Sequence, residues 1–339
     1  MISLGKIHAL LATARIANVP SVICNVWLGI AIGAFFGGWD SFSEPWSAAM
    51  RLSLAGVLLY ISGNFLNDWA DLAWDREHRP ERALPRGLFS RRLYLAVAIG
   101  CGAGGFLLAA ITRLPAAAVA LAILAAVVTY THWHKRSPWA VIAMGSCRAL
   151  LPVMGAVGFS GVFQRLDRPL DLRLPGGEMF QINAGSFATL PHGIAVVACA
   201  FGLFCHIAGL SLSARYESLP HPPQWISRTS RALFVATALV VSAVAYGMGG
   251  RLDFVILGAL PYIVWVALSL SIWRKPVPRH VSRLLAGIPW VDAMMLVPLA
   301  LVLAPAAGFW MEPFAAACFF LPTLAFVLAL VLQRLAPAT

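Results

Sequence analysis

Long apolar runs separated by short polar breaks organise this chain. Ten runs of about 18 to 25 residues, each long enough to cross a ~30 Å hydrocarbon core as a helix, can be read along it. They lie near residues 16–39, 48–66, 93–112, 114–131, 139–163, 190–213, 232–249, 253–272, 284–304 and 314–333. Pro, Gly and charged residues mark the breaks. No stretch shows the alternation of a membrane strand, so the pattern predicts an all-α, polytopic transmembrane bundle whose backbone bonds close within each helix. The run after Pro313 is either a further crossing or a re-entrant segment, so the expected count is nine helices or ten. The whole chain, residues 1–339, reads as one domain. The segment from Gln164 to Leu190 is the longest polar connection and reads as a surface loop without chemistry.

Composition agrees: 60% of the 339 residues are hydrophobic and 12% charged, with a mean hydropathy of +0.79, whereas soluble domains carry roughly 25% charge. The first run is too long for a signal peptide and no cleavage site with a soluble domain follows it, so a retained helix is expected. The net charge of +11 follows from 25 Lys and Arg against 14 Asp and Glu. With a cytoplasmic N-terminus most of those cations fall on the inner side, as the positive-inside rule requires. Topology and anionic lipid therefore account for the charge, and nucleic acid is not an expected partner. The six cysteines contain no Cys-x-x-Cys pair and read as small buried hydrophobes. Gly100, Gly102 and Gly105 spell G-x-G-x-x-G inside an apolar run with no strand before it, which points to helix packing and not to a dinucleotide.

One stretch breaks the apolar pattern with charge: NDWADLAWDREHRPERALPRG, residues 67–87, where the second run ends. On a continuing helix Asn67, Asp68, Asp71 and Asp75 point to about 0°, 100°, 40° and 80°, one shared face. Three carboxylates within two turns repel one another and call for cations. Mg²⁺ suits them, since it takes a few protein oxygens and leaves the rest of its shell to substrate phosphates. Arg76, Arg79, Arg82 and Arg86 follow, spaced through a turn with two prolines and a glycine, and guanidinium groups grip phosphate well. A solvated acidic helix end is the bland alternative.

The pattern N-D-x-x-D-x-x-x-D followed by R-P-x-R-x-L-P-x-G resembles the first aspartate-rich motif of the UbiA superfamily of intramembrane aromatic prenyltransferases. ARIANVPSVICNVWLG at residues 14–29 resembles that family's first helix, and Lys135 and Arg136 stand in a basic loop after the fourth run, as in many members. The resemblance implies a Mg²⁺-dependent transfer of a prenyl group from a polyprenyl diphosphate to an aromatic or other lipophilic acceptor. Asn67, Asp71 and Asp75 would hold the metal. Asp68, Arg79, Arg82, Arg86, Lys135 and Arg136 would bind substrate. A non-catalytic isoprenoid-binding or transport protein of the same fold is the alternative. A CDP-alcohol phosphotransferase is excluded because D-G-x-x-A-R is missing.

The chain departs from the family where a second acidic motif usually follows the sixth helix. The corresponding loop, AGLSLSARYESLPHPPQWISR from Ala208 to Arg228, holds one carboxylate, Glu217. Arg215 stands where the family often has a basic residue, so it is expected to act in catalysis, with Glu217 on the substrate side. Such a loop resembles a divergent bacterial branch, which implies the bacterial inner membrane as the location. Arg148 and Asp292 fall inside apolar runs, where ionisable groups face a bundle interior or cavity. They either line the acceptor pocket or pair with each other or with polar neighbours. His132 and His134 do not share a helix face, which argues against a metal pair, and His206 reads as a hydrogen-bonded core residue.

Overall fold

The computed structural model describes residues 4–37, 45–134, 137, 139–159, 170–173, 179–182, 189–216, 223–248, 250–272, 277–307 and 313–336. Among them are thirteen α-helices. They are α1 Leu4–Thr13, α2 Val19–Gly37, α3 Pro45–Ala70, α4 Leu72–His78, α5 Arg91–Thr112, α6 Leu114–Trp133 and α7 Ala140–Phe159. The second half holds α8 Thr189–Tyr216, α9 Gln224–Gly247, α10 Leu252–Leu270, α11 Val277–Ala286, α12 Ile288–Ala307 and α13 Pro313–Leu335. Ten spans are long and apolar enough to cross a membrane, one for each apolar run of the sequence. The run after Pro313 is one of them, a continuous helix of 23 residues. A short 3-10 turn, Ile16–Asn18, joins α1 to α2.

Helix ends follow local chemistry. Ser90 Oγ accepts the Leu93 N–H at 3.2 Å and starts α5, the usual job of an N-cap serine. Arg113 is extended and is followed by a proline in the first turn of α6, which separates two antiparallel helices with a single residue. The segment read as a surface loop contains two four-residue strands, β1 Leu170–Arg173 and β2 Met179–Ile182, paired antiparallel with Leu170 opposite Ile182.

Two spans form the axis of the bundle. The spans of α2 and α12 each have 78% of their apolar window buried, against 22% for α5. Outer helices spend their remaining apolar side chains on lipid: Ile99, Leu107 and Ile111 of α5 are exposed, as expected where hydrocarbon replaces water. Helix α2 packs against α3, α7, α12 and α13. Its approach to α7 is backbone to backbone: a Cβ on Gly29 would collide with the Pro152 carbonyl oxygen, and one on Gly155 with that of Val26. Gly102 and Gly105 of the G-x-G-x-x-G stretch lie against Ser62, Leu59 and Ala55 of α3, a packing role.

A smaller apolar cluster supports the charged segment. Leu84, Phe65, Tyr94, Ala98 and Ala14 are buried together under it. Leu84 belongs to the turn after α4, so its insertion anchors that turn. Gly87, at φ +70°, supplies the left-handed residue that brings the chain back to α5. The six cysteines are free.

Candidate functional site

Residues 67–75 stay helical through the junction of α3 and α4. Asp71 sits there at φ −80°, ψ 0°, and the bonds Asp71 N–H to Asn67 O at 2.9 Å and Asp75 N–H to Asp71 O at 2.8 Å keep the helical rotation. Asn67, Asp68, Asp71 and Asp75 therefore do share one face. That face is turned inward, since Asp68, Asp71 and Asp75 are 8%, 8% and 1% exposed. Carboxylates are rarely so buried unless paired, and this rules against a solvated helix end.

Side chains from two other segments meet them. Arg82 Nη1 donates to Asp75 Oδ2 at 2.9 Å and to Asp68 Oδ1 at 3.3 Å, bridging both carboxylates. Arg79 and Arg86, on the same turn, are exposed at its rim. His134, which ends α6, presents Nε2 to Asp71 Oδ2 at 3.1 Å. Its Nδ1 lies 3.2 Å from the Tyr130 and Thr131 carbonyls, which orients the ring. Asn67 Nδ2 donates to the same Asp71 oxygen at 3.2 Å.

Arg15 completes the cluster from the α1–α2 connection. Its backbone lies at φ 48°, ψ 52°, left-handed, a conformation that costs a non-glycine residue of order 1–2 kcal/mol. Burial works against its charge, yet Asp68, Tyr60, Tyr130 and Asp71 outweigh burial and hold the guanidinium above its ordinary basicity. Thr13 Oγ1 bonds to Tyr94 Oη at 2.8 Å and Asn64 Nδ2 donates to the Ala14 carbonyl at 3.1 Å, fixing the strained residue on both sides. Neither Arg15 nor His134 is recognisable as part of this site from helical spacing. The only signal was that Arg15 belongs to the ARIAN stretch of residues 14–18.

The cluster fits a hard divalent cation in a specific way. Asn67 Oδ1 and Asp75 Oδ1 are buried and accept no hydrogen bond among the described residues, and such orphaned oxygens demand an explanation. No three His, Cys, Asp or Glu side chains among the described residues converge as a ready-made metal cage. A cation here would take Asn67, Asp75 and Asp71 and leave positions open for phosphate oxygens, which is how Mg²⁺ is commonly bound.

Of the remaining expected residues, Lys135, Arg136 and Glu217 lie outside the described residues, as does the Arg215 side chain at the end of α8. Arg148 and Asp292 are buried, at 7% and 0% exposure, and connect through Asn25. Arg148 Nη1 donates to Asn25 Oδ1 at 2.8 Å, and Asn25 Nδ2 donates to both Asp292 oxygens at 2.7 and 3.0 Å. His206 lies between the Tyr262 hydroxyl at 3.2 Å and the Leu284 carbonyl at 3.3 Å, a core residue.

An acidic helix face met by arginines lies at one end of a bundle of membrane-length helices, and this defines a class of polytopic membrane proteins. The match of the UbiA prenyltransferase family to residues 26–288 places the chain in that family, to which it belongs. The chain is 34% identical over 128 residues to digeranylgeranylglyceryl phosphate synthase of Halobacterium salinarum, covering 38% of this chain but only 44% of that relative. The namesake enzyme of Thermococcus sibiricus is 24% identical over 239 residues, 60% of this chain and 86% of that one. Among solved structures, the apo form of a UbiA homologue from Aeropyrum pernix K1 superposes with a TM-score of 0.62 at 19% identity, covering 82% of this chain and 97% of the other. That likeness shows the fold.

Proposed function

We propose that this protein transfers a prenyl group from a polyprenyl diphosphate to a lipophilic acceptor inside the membrane, with Mg²⁺ held at Asn67, Asp71 and Asp75. The observation that carries the reading is the buried acidic face, with the Asn67 and Asp75 oxygens unpartnered among the described residues, beside Arg15, Arg82 and Arg79. Family membership and relatives named as digeranylgeranylglyceryl phosphate synthase support it. Breaking the allylic C–O bond leaves a delocalised carbocation and a diphosphate, so the barrier falls most where positive charge meets the leaving group. Mg²⁺, when bound, supplies part of that charge to the diphosphate oxygens. Arg15, Arg79, Arg82 and Arg86 bind and orient the remaining oxygens. The surrounding helices keep water from the cation until the acceptor's electron pair takes it.

We further propose a plasma-membrane location with a cytoplasmic N-terminus; the named relatives are archaeal, so they lend a bacterial host no support. The sequence of the 208–228 loop, with its single carboxylate, favours a second reading in which the fold binds isoprenoids without turnover. Purified protein incubated with Mg²⁺, radiolabelled polyprenyl diphosphates, and both aromatic and glyceryl phosphate acceptors decides between them. Labelled prenylated product supports transfer. Saturable donor binding with no product and no diphosphate release supports the second reading.

A further inference from the structure

Arg15 owes its place beside Asp68 and Asp71 to its own left-handed backbone. At φ 48° it is the one positive φ outside glycine among the described residues, and such a conformation persists only where its surroundings over-determine it. The right-handed alternative would run α1 straight on through Ile16–Asn18 into α2, since helix lies on both sides. It would also turn the Arg15 side chain toward another face. The bonds of Thr13 to Tyr94 and of Asn64 to the Ala14 carbonyl resist that change from the side of α3 and α5.

Helix α13 resists it from the opposite side. The family match ends at residue 288, so α13 lies beyond it. It packs against α2, α11, α12 and the 3-10 turn Ile16–Asn18 that directly follows Arg15. Small side chains let it approach closely: Ala315, Cys318, Ala325 and Ala329 are buried on its inner face. Phe326 fixes it along the bundle, its ring lying 4.7 Å from that of Trp265 on α10 and 4.9 Å from that of Trp290 on α12. The last turn of α13 then reaches out in two directions. Gln333 Nε2 donates to the Ser282 carbonyl of α11 at 2.8 Å. The Leu335 carbonyl, one of those that a helix end leaves without an internal partner, accepts from His8 Nε2 of α1. Because a carbonyl only accepts, Nε2 carries the proton in that bond. Helix α11 packs against the same 3-10 turn. The turn after Arg15 is thus enclosed by α11 and α13, and the helix before Arg15 is tied to α13 through His8. A right-handed Arg15 would swing α1 away and break that tie.

Resting on the prenyl-transfer reading, we propose that the last turn of α13 is a latch that keeps Arg15 aimed at the donor diphosphate, with His8 and Gln333 as its positioning residues. Both act through Arg15 and not on the donor itself. The tenth span therefore serves the site from outside the matched part of the chain.

The test is a calorimetric titration of geranyl diphosphate into the full chain in lipid nanodiscs with Mg²⁺. Wild type is compared with a double variant, His8→Ala with Gln333→Ala, with Arg15→Ala, and with the triple variant that combines them. Losing two hydrogen bonds of the latch should weaken binding about fivefold, and Arg15→Ala should weaken it at least as much. Independent contacts multiply their effects whereas coupled ones do not, so the triple variant should bind within about twofold of Arg15→Ala. That result also shows that the fold survives loss of the latch. His8→Gln keeps a side-chain N–H donor and should stay within about twofold of wild type. A double variant or an Arg15→Ala protein that binds like wild type overturns the proposal. So does a triple variant weaker than Arg15→Ala by more than about twofold, whether through a damaged fold or through contacts elsewhere, and so does a His8→Gln protein as weak as the double variant. If the wild type itself fails to bind geranyl diphosphate, the prenyl-transfer reading falls, and the latch with it.

Discussion

At the scale of single residues, burial and partnering separate carboxylates that look equivalent in the sequence. Asp75 gives one oxygen to Arg82 and keeps the other unpartnered among the described residues, Asp71 lies beside Asn67 and His134, and Asp68 shares Arg82 and has Arg15 near it as well. Asp71→Asn and Asp75→Asn should each reduce Mg²⁺-dependent turnover by on the order of 100-fold or more, while Asp68→Asn acts mainly by weakening donor binding. Steady-state kinetics with a saturating acceptor checks this; near wild-type rates in the Asp71 variant would return the acidic face to a structural role. Arg15 allows a separate test of strain. Arg15→Ala and Arg15→Gly remove the same guanidinium, but only glycine is at ease at φ 48°. The glycine variant should be the more stable of the two by about 1 kcal/mol, seen as a higher melting temperature in detergent. Arg215→Ala should weaken donor binding substantially while Glu217→Gln has a milder effect than Asp71→Asn, because cations must compensate where a second acidic cluster is missing. Inactivity of Glu217→Gln alone would show that this loop organises a metal of its own.

Among the elements, the spans were legible and the joints were not. Hydrocarbon leaves a helix no choice but to close its own backbone bonds, so every apolar run of the sequence corresponds to a span. Boundaries shifted where polar turns extend beyond the apolar stretch: α9 begins at Gln224, well before the run near residue 232, because Trp225 to Arg231 continue the helix outside it. The shared face of Asn67, Asp71 and Asp75 was readable from spacing alone. Arg15 and His134 were not, since one depends on a left-handed residue and the other on where α6 ends beside α3. Close helix contacts make their own prediction. Gly105→Ala should destabilise by about 1–3 kcal/mol, because Leu59 and the Ala55 carbonyl occupy the space. Gly100→Ala, with nothing within 4 Å, should be neutral or stabilising by up to about 1 kcal/mol. Thermal unfolding in detergent compares the two.

Seen whole, the molecule has its charged cluster at one end and its β-hairpin within the long 160–188 connection. The proposed orientation, which rests on the charge bias of the sequence, puts the cluster on the cytoplasmic side. Cysteine-accessibility labelling should find residues 68–92 and 214–231 on the cytoplasmic side and 164–189 on the opposite side. Labelling of both loops from the same side as residue 175 would overturn that orientation.

The polar stripe of α2 has a consequence for how the protein is made. Ser21 and Asn25 fall within about 40° of one another around the helix, and the partners they need arrive late: Arg148, which donates to both, lies 123 residues and Asp292 267 residues beyond Asn25. During synthesis α2 enters the bilayer long before α12 exists. An Asp or Arg at the centre of a lone helix costs about 2.5–3.5 kcal/mol to insert, so α7 and α12 each carry a penalty that only assembly around α2 relieves. Early chains therefore depend on the insertion machinery to shelter these helices, and a chain released before Asp292 is made should be a substrate for membrane proteases.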